Sequence, residues 1–261
     1  MKIALIQSDL FWADPEANMF HFESMFEQLQ EDEQMVVLPE AFSSGFVMDK
    51  DMIEEISTFP VKETMIKWTK RYGKIFVGSA FVNDQGKFFN RMFWVEPNGK
   101  TYQYDKRHLF SYAGENKIFS PGEKQINVKF DEFIFRLNVC YDLRFPVWNA
   151  NRLTEGKPEY DVLLFVANWP EKRRTAYLKL LQARAIENQS YVIWVNRVGE
   201  DGYGNHHTGD TCLIGPDGSF IDKAPVSKEQ VLHIKIRKPY LDDFRTQFPF
   251  YKDWDKFSIE T

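Results

Sequence analysis

The sequence is short of cysteine: only Cys140 and Cys212 occur in 261 residues. That excludes a disulfide scaffold and favours a reducing compartment. Positive charge is not in surplus either. Lys plus Arg number 33 against 38 Asp plus Glu, a formal net charge of -5. Nucleic acid and anionic membrane surfaces are therefore poor candidates for the main partner. No apolar run approaches the roughly 20 residues of a membrane-spanning helix. Val162–Ala167 is typical of the longest runs, and the opening Met1-Lys-Ile-Ala-Leu-Ile-Gln-Ser-Asp9 is too brief an apolar stretch for a signal peptide. The expectation is a cytoplasmic protein that begins directly with a strand. Metal-site spacing is missing as well. His21, His108, His206, His207 and His233 form no HxxxH pattern, and the cysteines form no CxxC. On a strand, His206 and His207 would point to opposite faces. Neither GxxxxGK[ST] nor a post-strand GxGxxG occurs, so no nucleotide, metal or other cofactor is expected.

What the chain has in quantity is aromatic surface: 24 Phe, 11 Tyr and 7 Trp. Such a share suits a well-filled core, an aromatic pocket or an interface. Strand-like and helix-like segments alternate, with no repeat, linker or low-complexity stretch. Ile3–Gln7 and Met35–Leu38 read as short buried strands. Asp14-Pro15 opens a helix to about Gln30, with Asp as N-cap and Pro at the first position. Lys74–Val82 and Phe88–Val95 read as a hairpin, followed by a strand at Thr101–Tyr104. Phe133–Val139 and Asp161–Ala167 are expected strands, with a helix from Pro146 to Thr154 between them. A helix over Arg174–Asn188, a strand at Tyr191–Val198 and a turn at Pro216-Asp-Gly218 follow. After Lys238 the tail is aromatic and charged without a clear period. The pattern is that of a layered α/β domain.

Three reactive side chains come just as apolar strands end. Glu40 follows Met35-Val-Val-Leu-Pro39, Lys106 follows Thr101-Tyr-Gln-Tyr-Asp105, and Cys140 follows Phe133–Val139. Alone, each fits a solvated charge or a small buried side chain. Together with their flanks they are more specific. Leu38-Pro-Glu40-Ala-Phe, Lys106-Arg-His-Leu-Phe and Cys140-Tyr-Asp-Leu-Arg-Phe-Pro146 closely resemble the signature segments of the nitrilase superfamily of carbon–nitrogen hydrolases. Ser120-Pro-Gly122, Asn168-Trp-Pro170, Gln182–Asn188 and Asn196-Arg197 match in the same order, so the resemblance spans Lys2 to about Ile236. Cys-Tyr-Asp-Leu-Arg-Phe-Pro and Asn-Trp-Pro-Glu-Lys-Arg look most like the bacterial omega-amidases, which hydrolyse 2-oxoglutaramate and 2-oxosuccinamate.

The resemblance implies a four-layer αββα sandwich formed by one domain over residues 1–261, with 239–261 as a packing or dimer-contact tail. It also implies a homodimer. The partner it implies is a small-molecule amide, which the enzyme would hydrolyse through a cysteine thioester. Cys140 would be the nucleophile, helped by a helix N-terminus, with Glu40 as general base. Lys106 and the backbone N–H of Tyr141 would stabilise the oxyanion. Glu115 aligns with a second glutamate that orients the lysine or the water. Cys212 is read as core. A substrate carboxylate calls for an arginine fork, with Arg144, Arg173 and Arg174 as candidates. Arg144 could instead pair with Asp142, and adjacent Arg173 and Arg174 would point apart. Phe42, Phe110 and Trp169 are expected to wall the pocket. Rival readings are amidases for deaminated glutathione or N-carbamoyl groups, nitrile hydrolysis, a papain-like pair using His108, and a non-catalytic binding protein on the same fold.

Overall fold

The computed structural model describes residues 1–259; the last two residues of the 239–261 tail lie outside the described residues. Two six-stranded sheets face each other. The first contains β1 (Lys2–Gln7), β2 (Met35–Val37), β3 (Ile75–Asp84), β4 (Lys87–Val95), β5 (Thr101–Asp105) and, last in the chain, β16 (Gln230–Lys235), in the order β16-β1-β2-β3-β4-β5. The second contains β6 (Asn127–Phe130), β7 (Phe133–Val139), β10 (Val162–Ala167), β11 (Tyr191–Asn196), β14 (Cys212–Ile214) and β15 (Phe220–Lys223), in the order β15-β14-β11-β10-β7-β6. Two small hairpins, β8–β9 (Leu153–Thr154 with Lys157–Pro158) and β12–β13 (Val198–Glu200 with His206–Thr208), complete the strands.

The central strands are buried on both faces because successive side chains alternate between two apolar layers. In β1, Ile3 and Leu5 join the core between the sheets, while Ala4 and Ile6 join the layer under the helices. Val36 does the same against Met35 and Val37 in β2. Helices α1 (Pro15–Met25) and α3 (Val61–Tyr72) supply Phe22, Met65 and Trp68 to the outer layer of the first sheet. Asp14 caps α1, accepting from Ala17 N at 2.9 Å; such a cap contributes about 1 kcal/mol. Short α2 (Lys50–Ile56) follows the Glu40 loop. On the second sheet, α5 (Arg174–Asn188) buries Tyr177, Leu181 and Ala185. Four layers result: helices, sheet, sheet, helices.

Two sequence expectations fail. The helix from Pro146 stops at Asn149 (α4), and Leu153–Thr154 is a strand. Asn149 Nδ2 donates to the carbonyls of Asp142 at 2.6 Å and Phe145 at 2.8 Å, and Asn151 N donates to Asn188 Oδ1 at 2.7 Å. These side-chain bonds compete with helix continuation. Conversely, the tail contains a helix, α6 (Lys238–Gln247). Its buried face is only Leu241 and Arg245, four residues apart. Arg245 binds the carbonyls of Gln189 and Tyr160 at 2.9 Å and Asp161 Oδ1 at 2.7 Å. A charged anchor carries no hydrophobic period, so the helix was hidden in the sequence.

Candidate active site

The site forms where strand ends from both sheets meet. Beyond β2, Leu38 N donates to Val77 O at 2.7 Å, and Glu40 N reaches across to Ala167 O at 3.3 Å. Ala41 then takes φ +48°, with its N–H on Ser79 Oγ at 3.0 Å. That turn points Glu40 inward. Its Oε1 accepts from Asn90 Nδ2 at 2.8 Å and Lys106 Nζ at 2.9 Å, and its Oε2 accepts from Asn168 N at 2.8 Å. Lys106, one residue past β5, also donates to Glu115 at 2.9 and 3.0 Å. Its backbone carbonyl accepts from Gly122 N at 2.9 Å. A Cβ at Gly122 would stand 2.0 Å from Asp105 O, so only glycine fits behind the lysine. Glu115 Oε2 accepts from Phe110 N at 2.5 Å.

Cys140 sits at φ +44°, a strained value for a residue with a Cβ, at the start of a 3-10 turn over Cys140–Arg144. Asp142 holds that turn. Its Oδ2 accepts from Tyr104 Oη at 2.7 Å and Val139 N at 3.0 Å; its Oδ1 accepts from His108 N at 3.0 Å and faces His108 Nδ1 at 2.8 Å. His108 also stacks on Phe145 with ring centroids 3.6 Å apart. It is therefore a support for the turn, while Glu40 is the carboxylate whose charge acts on the Cys140 thiol. The backbone N–H of Tyr141 lies in the first positions of the 3-10 turn, where N–H groups have no partner within the turn.

Glu40 and Glu115 are fully buried, Lys106 is 1 % exposed and Cys140 8 %. Burial works against the Lys106 charge, but Glu115 and then Glu40 outweigh it and push the ammonium up. Burial, opposed by Lys106 and assisted by Glu40, pushes the Glu115 carboxyl up. Burial and then Glu40 push the Cys140 thiol well up, against Lys106 and the Asn168 N–H. Burial and Glu40 thus act against the help expected from a helix N-terminus. Cys212 is a buried strand thiol in the core, as read from sequence.

A cavity of about 410 Å³ opens above Cys140 and Lys106, and Phe46, Phe110, Trp169, Arg173, Tyr203 and His207 line it. Phe110 and Trp169 thus stand where expected. Phe42 does not: it is buried in the outer layer, 5.7 Å from the Phe22 ring and 6.3 Å from Trp68, over Gly78. Phe46 takes the place expected for it, with Lys106 Nζ 5.1 Å from its ring. The arginines separate cleanly. Arg174 forms a two-point pair with Asp210, both contacts at 2.7 Å. Arg144 lies over the Trp169 ring at 5.1 Å, outside the cavity lining, and Asp142 is engaged elsewhere. Arg173 lines the cavity, lies 4.9 Å from the Phe110 ring and has no acidic partner among the described residues. Burial draws its guanidinium down, while Cys140 acts the other way; a guanidinium remains charged regardless.

Several site residues had no sequence signal strong enough to single them out. Asn90 lies mid-strand in β4 and is fully buried, a polar break in an apolar run. The β12–β13 hairpin contributes Tyr203, whose hydroxyl accepts from Met48 N at 2.9 Å, closing one side of the cavity. His207 is buried in that hairpin and His206 exposed, as strand alternation requires. Burial, then Arg197, push the His207 imidazole down to about 3.

A buried Glu–Lys–Cys cluster stands at the strand ends of an αββα sandwich, and the class of protein is an amidohydrolase acting on carbon–nitrogen bonds. The chain belongs to the carbon-nitrogen hydrolase family, whose model matches residues 2–246. It is 36% identical to the omega-amidase YafV of Yersinia enterocolitica, over 99% of this chain and 98% of that protein. It is 28% identical to the 2-oxoglutaramate amidase of Bacillus subtilis (strain 168), over 93% and 97%. The crystal structure of XC1258 from Xanthomonas campestris, a CN-hydrolase superfamily protein with an arsenic adduct in its active site, superposes with TM-score 0.96 at 35% identity. That match covers 100% of this chain and 99% of that one.

Proposed function

We propose that the chain is an omega-amidase, releasing ammonia from the terminal amide of 2-oxo dicarboxylic acid monoamides such as 2-oxoglutaramate and 2-oxosuccinamate. The observation that carries the substrate side is Arg173, a cation without an acidic partner among the described residues, on the wall of the Cys140 cavity. A fixed guanidinium suits a substrate carboxylate. The named relatives act on, or are named for, this chemistry, which supports the choice of acyl group.

An amide carbonyl is a poor electrophile, so a covalent step through sulfur splits one hard reaction into two. In this reading Glu40 takes the Cys140 proton as sulfur attacks, and the S–C bond forms. The oxyanion rests against Lys106 Nζ and the Tyr141 N–H. The C–N bond then breaks as Glu40 returns the proton to the leaving nitrogen, giving ammonia and a thioester. Water attacks the thioester with Glu40 as base, the S–C bond breaks, and the thiol is restored. Glu115 fixes the Lys106 ammonium. The high resting proton affinity of Cys140 makes the base necessary. An ammonia-release panel of 2-oxoglutaramate, 2-oxosuccinamate, deaminated glutathione, glutamine and a simple nitrile tests the assignment. The 2-oxo acid amides should lead; preference for any other member would reject it.

The reading includes a homodimer in the cytoplasm. Ile186 on α5 and Phe250 after α6 are exposed apolar groups, which suits contact with a second copy. The two free thiols suit a reducing compartment. Among the described residues no helix is long and apolar enough to cross a membrane. Sedimentation should give twice the chain mass; a monomer at micromolar concentration would reject the dimer.

A further inference from the structure

Arg173 depends for its place on the backbone that bears it. Its guanidinium has no acidic partner among the described residues and lies 4.9 Å from the Phe110 ring. Glu171–Arg173 form a 3-10 turn, with Arg173 N donating to Pro170 O at 3.1 Å, and α5 begins at the next residue. A helix start is commonly fixed by a side chain that accepts from its free N–H groups. No side chain caps α5 in this way. Its first residue is held by a charged pair instead: Arg174 Nε donates to Asp210 Oδ2 and Nη2 to Asp210 Oδ1, both at 2.7 Å. A two-point pair of this kind fixes orientation as well as distance.

Asp210 is itself firmly placed. It is fully buried, and it lies outside the lining of the Cys140 cavity, so it touches no substrate there. Tyr177, on the same face of α5 as Arg174, donates its hydroxyl to Oδ2 at 2.6 Å. Thr208 Oγ1 donates to Oδ2 at 3.1 Å, and Lys223 Nζ reaches Oδ1 from β15 at 2.8 Å. Burial works against the Asp210 charge, but Arg174, Lys223 and Tyr177 outweigh it and hold the carboxyl below its usual range. Thr208 ends β13, the strand whose His207 lines the cavity. One buried carboxylate thus joins the hairpin wall of the cavity to the helix start beside Arg173.

We propose that Asp210 is a positioning residue for substrate recognition: acting through Arg174, it fixes the turn that aims Arg173 at the substrate carboxylate. The inference rests on the omega-amidase reading given above. It assigns Asp210 to the binding of the acid end and leaves the chemistry at Cys140 to other residues. Loosening the pair should therefore appear in KM and spare kcat, the signature of lost uniform binding.

The test measures kcat and KM for 2-oxoglutaramate, with thermal melts, in wild type and in variants of the two cations on Asp210. Both cations are partly exposed, so their replacement is milder than replacement of the buried acid. Arg174→Gln should raise KM about tenfold with kcat nearly kept, and Arg174→Lys, which keeps the charge without the fork, should fall between. Lys223→Gln removes the other cation without touching the Arg173 turn; it should lower the melting temperature comparably and leave KM alone. In an Arg173→Leu background, Arg174→Gln should no longer change KM, because the group it positions is gone. Additive effects of the two arginine changes, equal KM rises in the Arg174 and Lys223 variants, or a loss confined to kcat would each overturn the proposal and leave Asp210 a folding residue. If wild type releases no ammonia from 2-oxoglutaramate, the omega-amidase reading itself fails and takes the proposal with it, a result distinct from an additive cycle in an active enzyme.

Discussion

The hydroxyl of Tyr104 donates to Asp142 Oδ2 across 2.7 Å, joining the strand that delivers Lys106 to the turn that carries Cys140. Both side chains are fully buried. Burial and the Asp142 charge push the Tyr104 phenol well up, so it stays a donor. Cys140 and Lys106, the proposed nucleophile and oxyanion partner, come from opposite sheets, and this contact helps set their spacing.

Asp142→Asn keeps the shape but turns an acceptor toward the N–H groups of Val139 and His108 into a partial donor. The φ +44° at Cys140 would then lose its brace. Loss of a buried charged acceptor costs about 1–3 kcal/mol. Urea unfolding should show that loss, and kcat should fall at least about tenfold, since small misplacements of reacting groups are costly. Unchanged kcat with lowered stability would confine Asp142 to folding.

Lys106 stands between two buried carboxylates at 2.9 Å from each. Lys106→Met leaves both without their cation, a change expected to cost about 3–5 kcal/mol. Adding Glu115→Gln removes one stranded charge and should recover part of that stability, with no recovery of turnover. Glu115→Gln alone should lower turnover while leaving a folded protein. Denaturant midpoints and ammonia release measured on the same preparations separate the two effects; additive stability losses would argue against the shared network.

Away from the site, His21 Nε2 lies 2.7 Å from Glu229 Oε1. The Glu229 hydrogen bond raises the His21 imidazole above 6.5, and His21 lowers Glu229 below 4.5. The histidine share of the stability is fully present below about pH 6.5 and is lost as pH rises through the raised folded value. The glutamate share is present above about 4.5 and is lost as pH falls through the lowered value. His21→Gln should therefore destabilise most between about pH 4.5 and 6.5 and progressively less in alkali. Partial exposure keeps the effect below about 1 kcal/mol. Melting curves across pH check the shape; a difference that grows above pH 8 would contradict it.

Much of this was legible in the residues themselves. Strands buried on both faces read as continuous apolar runs, and the strand-end positions of Glu40, Lys106 and Cys140 carried the site. Cys212 read as core from its place inside the strand Thr211–Ile214, and the opposed faces of His206 and His207 followed from alternation. Other features depend on contacts far apart in sequence. Phe42 and Phe46 lie four residues apart in one loop, and only packing against Phe22 or under Lys106 decides which reaches the cavity. Arg173 and Arg174 are chemically alike until Asp210 claims one of them. The helix of the tail is anchored by Arg245, a charged residue that breaks the apolar period used to find helices.

Replacement of Arg173 by Leu probes the carboxylate contact. It should reduce kcat/KM for 2-oxoglutaramate by about a hundredfold, in keeping with the 1.5–3 kcal/mol of a charge-assisted hydrogen bond. A neutral amide should lose far less. Equal losses on both would remove the guanidinium from recognition.

The most direct measurement is ammonia release from 2-oxoglutaramate by the wild-type protein and by Cys140→Ala, with intact mass taken after acid quench. Wild type should release one ammonia for each 2-oxo acid and carry the acyl mass at Cys140, while Cys140→Ala shows neither. Turnover by Cys140→Ala near the wild-type rate would contradict the account.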